Sequence, residues 1–249
     1  MSDPAAGDVN AASFDATHDD VFSRIAARYD VLCDLFSLGI HRRWKRRMAQ
    51  RILAGSWRSM LDVAAGTGHI SLRVIGGLDP AQGRTCVVSD ICPQMLDIAR
   101  RRAGAPTPAV EFRVIDAHHM ASVPDASVDL YSISLGLKIC DRHQVLREAW
   151  RVLRPGGTFI CLEASEIPVA AVQRAYLAYM SVCMPIVGWA ATGGDASAYQ
   201  YLLKGVRGFP GAEELAREIA AQGFVDVQFE RMSFGIVAIH LARKPLSPA

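Results

Sequence analysis

Apolar, strand-like runs at 59–64, 85–90, 111–115, 128–134 and 157–163 alternate with amphipathic stretches near 67–76, 93–102 and 141–153. That alternation leaves few folds open. Parallel strands need a crossover between them, and helices in the crossovers cover both faces of the sheet. The expected class is α/β, a doubly wound and mostly parallel sheet. "RPGG" at 154–157 ends the third stretch and turns into the fifth strand. Residues 168–207 read as a helical, apolar cap, with Pro185, Gly188 and Gly193-Gly194 as breaks. A helix over 210–222, closed by Gly223, leads into a hairpin of strands at 224–232 and 234–244. Ahead of the sheet, residues 18–53 read as helices interrupted at "SLGIH". Residues 1–15 are expected to be a disordered tail and 16–249 a single domain.

Half of the 249 residues are hydrophobic (51%) and 21% are charged, enough for a sizeable core. A net charge of +2 with mixed signs argues against a nucleic-acid binder. The densest basic run, "HRRWKRR" (41–47), reads as a solvated helix face. Six cysteines show no CxxC spacing and the histidines are scattered, so reduced thiols and no metal are expected. No stretch reads as a signal peptide or membrane span, which places the chain in the cytoplasm.

"LDVAAGTGHI" (61–70) breaks a strand into a glycine turn and resumes as a helix. In a doubly wound sheet a ligand sits there, at the strand tips. Gly66 and Gly68 let the backbone approach it, with Ala64 and Thr67 in the same turn. A dinucleotide fingerprint needs a third glycine, but Ser71 stands in that place. Asp62 followed by G-x-G suits a zwitterionic ligand such as the amino-acid end of S-adenosylmethionine. Its carboxylate would take backbone amides, and Asp62 would organise the loop or the ammonium group. Asp90, followed by Ile91, ends the second strand, where a carboxylate accepts ribose hydroxyls. Asp116 ends the third, where it accepts from an adenine amino group.

"VFSRIAARYDVLCDLFSLGIHRRWKRR", "LDVAAGTGHIS", "VVSDICPQMLDIARRR", "SISLGLKICDRHQVLREAWRVLRPGGTFICLEAS", "DASAYQYLLKGVRGFP" and "GIVAIHLARK" resemble, in order, the blocks of the ubiquinone/menaquinone biosynthesis C-methyltransferases over roughly residues 20–245. The resemblance implies a class I methyltransferase fold, with a seven-stranded sheet whose last strand is antiparallel. It implies Thr67, Asp90, Asp116, Ala117 and Ser134 as donor-binding positions, with Tyr29 covering the donor from the N-terminal helices. Departures concentrate elsewhere. The family usually carries Gly at Ala65, Asn at Asp116 and Cys33, and F-G-L-R-N where Leu135-Gly136-Leu137-Lys138-Ile139 stand. The donor site therefore reads as intact and the acceptor site as altered.

Methyl transfer needs an aligned nucleophile and dry surroundings, and a phenolic acceptor needs a base or cation near its hydroxyl. The candidates are Lys138, His143 after the fourth strand, His240 in the last strand, and Tyr199 in "YQYL". His118 and His119 read as surface residues. "YLAYMSVCMPIVGWAA" (176–191) reads as an apolar roof over a hydrophobic, aromatic or prenylated acceptor. A prenylated acceptor would bring the chain to a membrane surface, with Arg42, Arg43, Lys45, Arg46 and Arg47 as headgroup contacts. Oligomeric state, a homodimer included, stays open, as do a non-quinone acceptor and donor binding without transfer.

Overall fold

The computed structural model describes residues 26–105, 109–192 and 205–246, together with Ser23 and Leu203. The expected tail and Tyr199 lie outside the described residues. Seven strands form one sheet in the order β3-β2-β1-β4-β5-β7-β6. They are β1 Ser59–Val63, β2 Thr85–Asp90, β3 Val110–Val114, β4 Val128–Ser134, β5 Leu153–Ala164, β6 Val225–Met232 and β7 Val237–Arg243. β1 to β5 pair in parallel, and β7 runs antiparallel to both β5 and β6. The strand order reverses between β1 and β4, so a crevice opens at their carboxyl ends.

Two apolar layers sandwich the sheet, because alternate strand residues point to opposite faces. On one face α2 (His41–Ala54), α3 (His69–Ile75) and α4 (Pro93–Ala103) bring Trp44, Met48, Ile70, Val74 and Leu96 against Met60, Val88, Leu130 and Ile160. On the other, α5 (Arg142–Val152) and α7 (Ala212–Ala221) bring Val145, Ala149, Leu215 and Ile219 against Leu61, Val63, Tyr131 and Phe159. Burial on both sides explains the near-continuous apolar strand runs.

Two expectations change here. "HRRWKRR" is not a solvated face. His41, Trp44 and Lys45 are buried on α2, while Arg42, Arg43 and Arg46 are exposed. Positions 41, 44, 45 and 48 share one helical face, so a run that looks polar is amphipathic. The expected break at Pro185 is also absent. α6 (Ala170–Thr192) continues through it, losing only the one backbone donor that proline lacks. α6 packs on α1 (Tyr29–Ser37), and the left-handed Leu38 (φ 49°) and Gly39 (φ 74°) then turn the chain into α2.

Candidate active site

The glycine turn leaves β1 through three left-handed residues, Ala64 (φ 50°), Gly66 (φ 57°) and Gly68 (φ 79°). Its amides are largely tied inward. Ala65 donates to the Ser89 carbonyl at 2.9 Å, Gly68 to the Ala65 carbonyl at 3.0 Å and Gly66 to Asp90 Oδ2 at 2.7 Å. Cys92 N–H donates to Asp90 Oδ1 at 2.9 Å, so Asp90 couples the turn to the end of β2. A Cβ at Gly68 would come within 2.9 Å of Ala99 Cβ on α4, which requires glycine there. A Cβ at Gly66 would meet nothing within 4 Å. It would enter the open space over the turn, and that cradle fits a ligand whose backbone approach must be unobstructed.

Asp62 does not reach that space. It is 1% exposed and accepts from the hydroxyls of Ser71 on α3 and Ser132 on β4, fixing the helix after the turn to the sheet. Burial pushes its carboxyl up to about 6, against the two serine hydrogen bonds that lower it. The folded state therefore holds this proton more tightly than the unfolded chain, and stability falls as pH rises from about 4 to about 6. Asp62→Asn is expected to flatten that slope and to gain about 1–3 kcal/mol at pH ~8. Urea unfolding at a series of pH values checks it; an unchanged slope removes the assignment.

At the tip of β3, Asp116 is 2% exposed and accepts from His118 N (2.9 Å) and Nδ1 (2.8 Å). The Asp141 amide donates to His118 Nε2 at 3.0 Å, which puts the ring proton on Nδ1, facing Asp116. The structure thus corrects His118 from a surface residue to a half-buried hydrogen-bond partner of Asp116. His119 is exposed, as expected. Ala117 is buried behind Asp116, while Ile91 and Ser134 stand half-buried at the tips of β2 and β4. The donor-site candidates Gly66, Thr67, Asp90, Asp116 and Ser134 therefore gather along one crevice.

A residue not singled out from the sequence closes this crevice on one side. Asp30 of α1 accepts from Thr67 Oγ1 at 2.8 Å, lies 3.1 Å from His69 Nε2 and pairs with Arg102. Burial opposes its charge, but these hydrogen bonds outweigh burial and hold the carboxyl well below the usual carboxylate range. Tyr29, one residue earlier, faces the space beyond.

That space is a cavity of about 280 Å³, walled by Tyr29, Cys33, His41, Leu135, Lys138 and Ala164 and roofed by Tyr176, Tyr179 and Met180 of α6. Its lining is almost wholly apolar, as a greasy acceptor requires. Lys138 is the cation in the wall, its side chain 9% exposed. Its ammonium donates to the Leu135 carbonyl and, at 3.2 Å, to Glu163 Oε1. Glu163, 0% exposed, also accepts from Lys138 N (3.1 Å) and Ala164 N (2.7 Å). The signal for Glu163 was one acid inside the apolar run "FICLEA". His41 was read only as part of a basic run. Ser37 Oγ donates to the Cys33 carbonyl at 2.6 Å, so His41 Nδ1 donates to Ser37 Oγ at 2.8 Å and Nε2 keeps a lone pair. Burial, then the Lys45 charge, pushes His41 down to about 4, so the ring is neutral at neutral pH.

The other candidates lie apart. His240 is 1% exposed with Nε2 on the Ala212 carbonyl at 2.9 Å, on the sheet face covered by α7. The cavity is on the opposite face with Trp44 and Val237, so His240 is corrected to a packing residue. His143 is exposed on the first turn of α5, likewise across the sheet. Among the described residues no group of three or more His, Cys, Asp or Glu is placed to hold a metal ion.

Comparison with known proteins gives the family. The model of the ubiE/COQ5 methyltransferase family matches residues 11–244. The chain is 42% identical over 224 residues to the ubiquinone/menaquinone biosynthesis C-methyltransferase of Acidiphilium cryptum, covering 89% of this chain and 88% of that one. It is 37% identical over 240 residues to the mitochondrial 2-methoxy-6-polyprenyl-1,4-benzoquinol methylase of Schizosaccharomyces pombe, covering 90% and 78%. Among solved structures, a SAM-dependent methyltransferase from Thermotoga maritima superposes with a TM-score of 0.62 at 18% identity, covering 90% and 98%. The fold and a family match over nearly the whole chain converge: the protein belongs to the ubiE/COQ5 methyltransferase family and is an S-adenosylmethionine-dependent methyltransferase.

Proposed function

We propose that the chain methylates a ring carbon of a hydrophobic, prenylated quinol. The carrying observation is the apolar-lined cavity beside the candidate donor crevice, with an ion-paired ammonium in its wall. The names of the Acidiphilium and fission-yeast relatives support the substrate class. The donor brings a methyl group already activated on sulfur. Asp90, Asp116, Thr67 and Ser134 would hold it, and the protein's remaining work is to orient the acceptor and keep water out. A phenol ionises near pH ~10 in water, and a ring carbon is a good nucleophile only once that proton has left. Lys138 favours the phenolate by charge. Glu163 is its positioning residue, because both carboxylate oxygens are already taken by Lys138 and the Ala164 amide.

Leu38 on the turn after α1 and Val182, Ile186 and Trp189 on α6 are exposed, as are Arg42 and Arg43 at the start of α2, and α6 packs on α1. This apolar and basic face suits delivery of a prenylated acceptor from a membrane surface. Lys45 and Arg47 drop out of that surface: the first is buried and the second pairs with Glu230 at 3.0 Å. No described helix is long and apolar enough to cross a membrane.

A second reading rests on Lys138 and Ile139, where the family pattern carries Arg and Asn: methyl transfer to a non-quinone aromatic. Incubation with methyl-labelled donor and a demethylated quinol extract separates the two. Label on a quinone ring carbon is expected, and Lys138→Met is expected to lower kcat about 100-fold with donor affinity unchanged. Label confined to oxygen, nitrogen or non-quinone products would reject the quinol reading.

A further inference from the structure

Lys45 is 7% exposed, yet among the described residues no ion pair or hydrogen bond reaches its ammonium. A buried charge without a partner is strongly unfavourable, so a retained one marks a site whose counter-ion comes from outside the chain. Its position narrows that counter-ion. Lys45 lies one turn after His41 on the same face of α2. The His41 ring stands 6.2 Å, centroid to centroid, from His69, the first residue of α3 after the glycine turn. The ammonium is close enough to Asp30, which holds Thr67 Oγ1 of the turn, to feel its charge. Burial pushes it down, while Cys33 and Asp30 beside it pull it up, so an arriving anion gains a ready partner.

Part of the turn's own hydrogen-bonding capacity is already used. A carboxylate on its backbone would find the Ala65, Gly66 and Gly68 amides already spent inside the fold. α3 has only seven residues, so its N-terminal dipole is weak. Arg102 is committed to Asp30. We propose that Lys45 binds the α-carboxylate of the methyl donor. This rests on the donor lying at the glycine turn.

Calorimetry with S-adenosylhomocysteine and with methylthioadenosine, which lacks the amino-acid end, tests it on the intact chain. Lys45→Met is expected to weaken S-adenosylhomocysteine about ten- to a hundredfold and to leave methylthioadenosine unchanged. Lys45→Arg keeps the charge and should retain most of the preference. Without ligand, Lys45→Met should melt no lower than wild type, since methionine replaces a costly buried ammonium. Unchanged S-adenosylhomocysteine affinity in a folded Lys45→Met, or equal losses for both ligands, overturns the assignment. A raised acceptor KM with intact donor affinity also overturns it, by placing the ammonium in the acceptor cavity. Failure of the wild type to bind either ligand would instead reject the donor placement.

Discussion

Glu163→Ala is expected to lower folding stability by about 3–5 kcal/mol, the usual cost of stripping one partner from a buried ion pair. Glu163 is wholly buried and takes three donors: the Lys138 ammonium at 3.2 Å, the Lys138 amide at 3.1 Å and the Ala164 amide at 2.7 Å. Its loss leaves a near-buried ammonium with only the Leu135 carbonyl, and two amides without acceptors. A domain's whole stability is about 5–15 kcal/mol, so this variant sits close to unfolding. Removing both charges gives the contrast. Glu163→Leu with Lys138→Met should recover most of the lost stability, because an apolar replacement of a buried pair is often neutral or better. Methyl transfer should not recover with it. Urea unfolding and kcat for the three variants read this out; a Glu163→Ala within about 1 kcal/mol of wild type would show that the pair does not anchor the wall.

Asp90→Ala is expected to weaken donor binding by about 10- to 100-fold, since hydrogen bonds to a charged group contribute about 1.5–3 kcal/mol. The carboxylate does two things at once. It holds the Gly66 and Cys92 amides at 2.7 and 2.9 Å, shaping the turn, and it stands at the β2 tip where ribose hydroxyls would lie. Asp90→Asn separates the roles. Its carbonyl oxygen can still accept one amide, so the turn should be largely preserved while the charged contact is gone. Affinities from calorimetry should then rank wild type, Asn, Ala. Equal affinity across all three would remove Asp90 from the donor site.

The candidate donor residues were legible in the chain because each rests on a local signal. A glycine turn follows β1, Asp90 ends β2 and Asp116 stands just past β3, each readable from a few consecutive residues. The topology places those tips side by side. The acceptor side was less legible for the opposite reason. Lys138 was picked out, but not Glu163, which reaches it from 25 residues away on a neighbouring strand. His240 was chosen from its strand, yet alternation says only that successive residues face opposite ways. Which of those faces meets the cavity depends on where α2, α6 and α7 pack.

What the sequence determined by itself is the architecture and the turn after β1: apolar periodicity dictates the elements, right-handed crossovers order them, and Gly66 and Gly68 enter a left-handed backbone at little cost. The tertiary structure alone decided which charges are buried. Asp30, His41, Lys45 and Glu163 are ordinary polar residues along the chain. They become a clamp, a neutral imidazole, a buried cation with no ion pair among the described residues and a positioning acid only when distant elements remove their water. Desolvation depends on every neighbour in space, and a one-dimensional pattern carries no record of those neighbours.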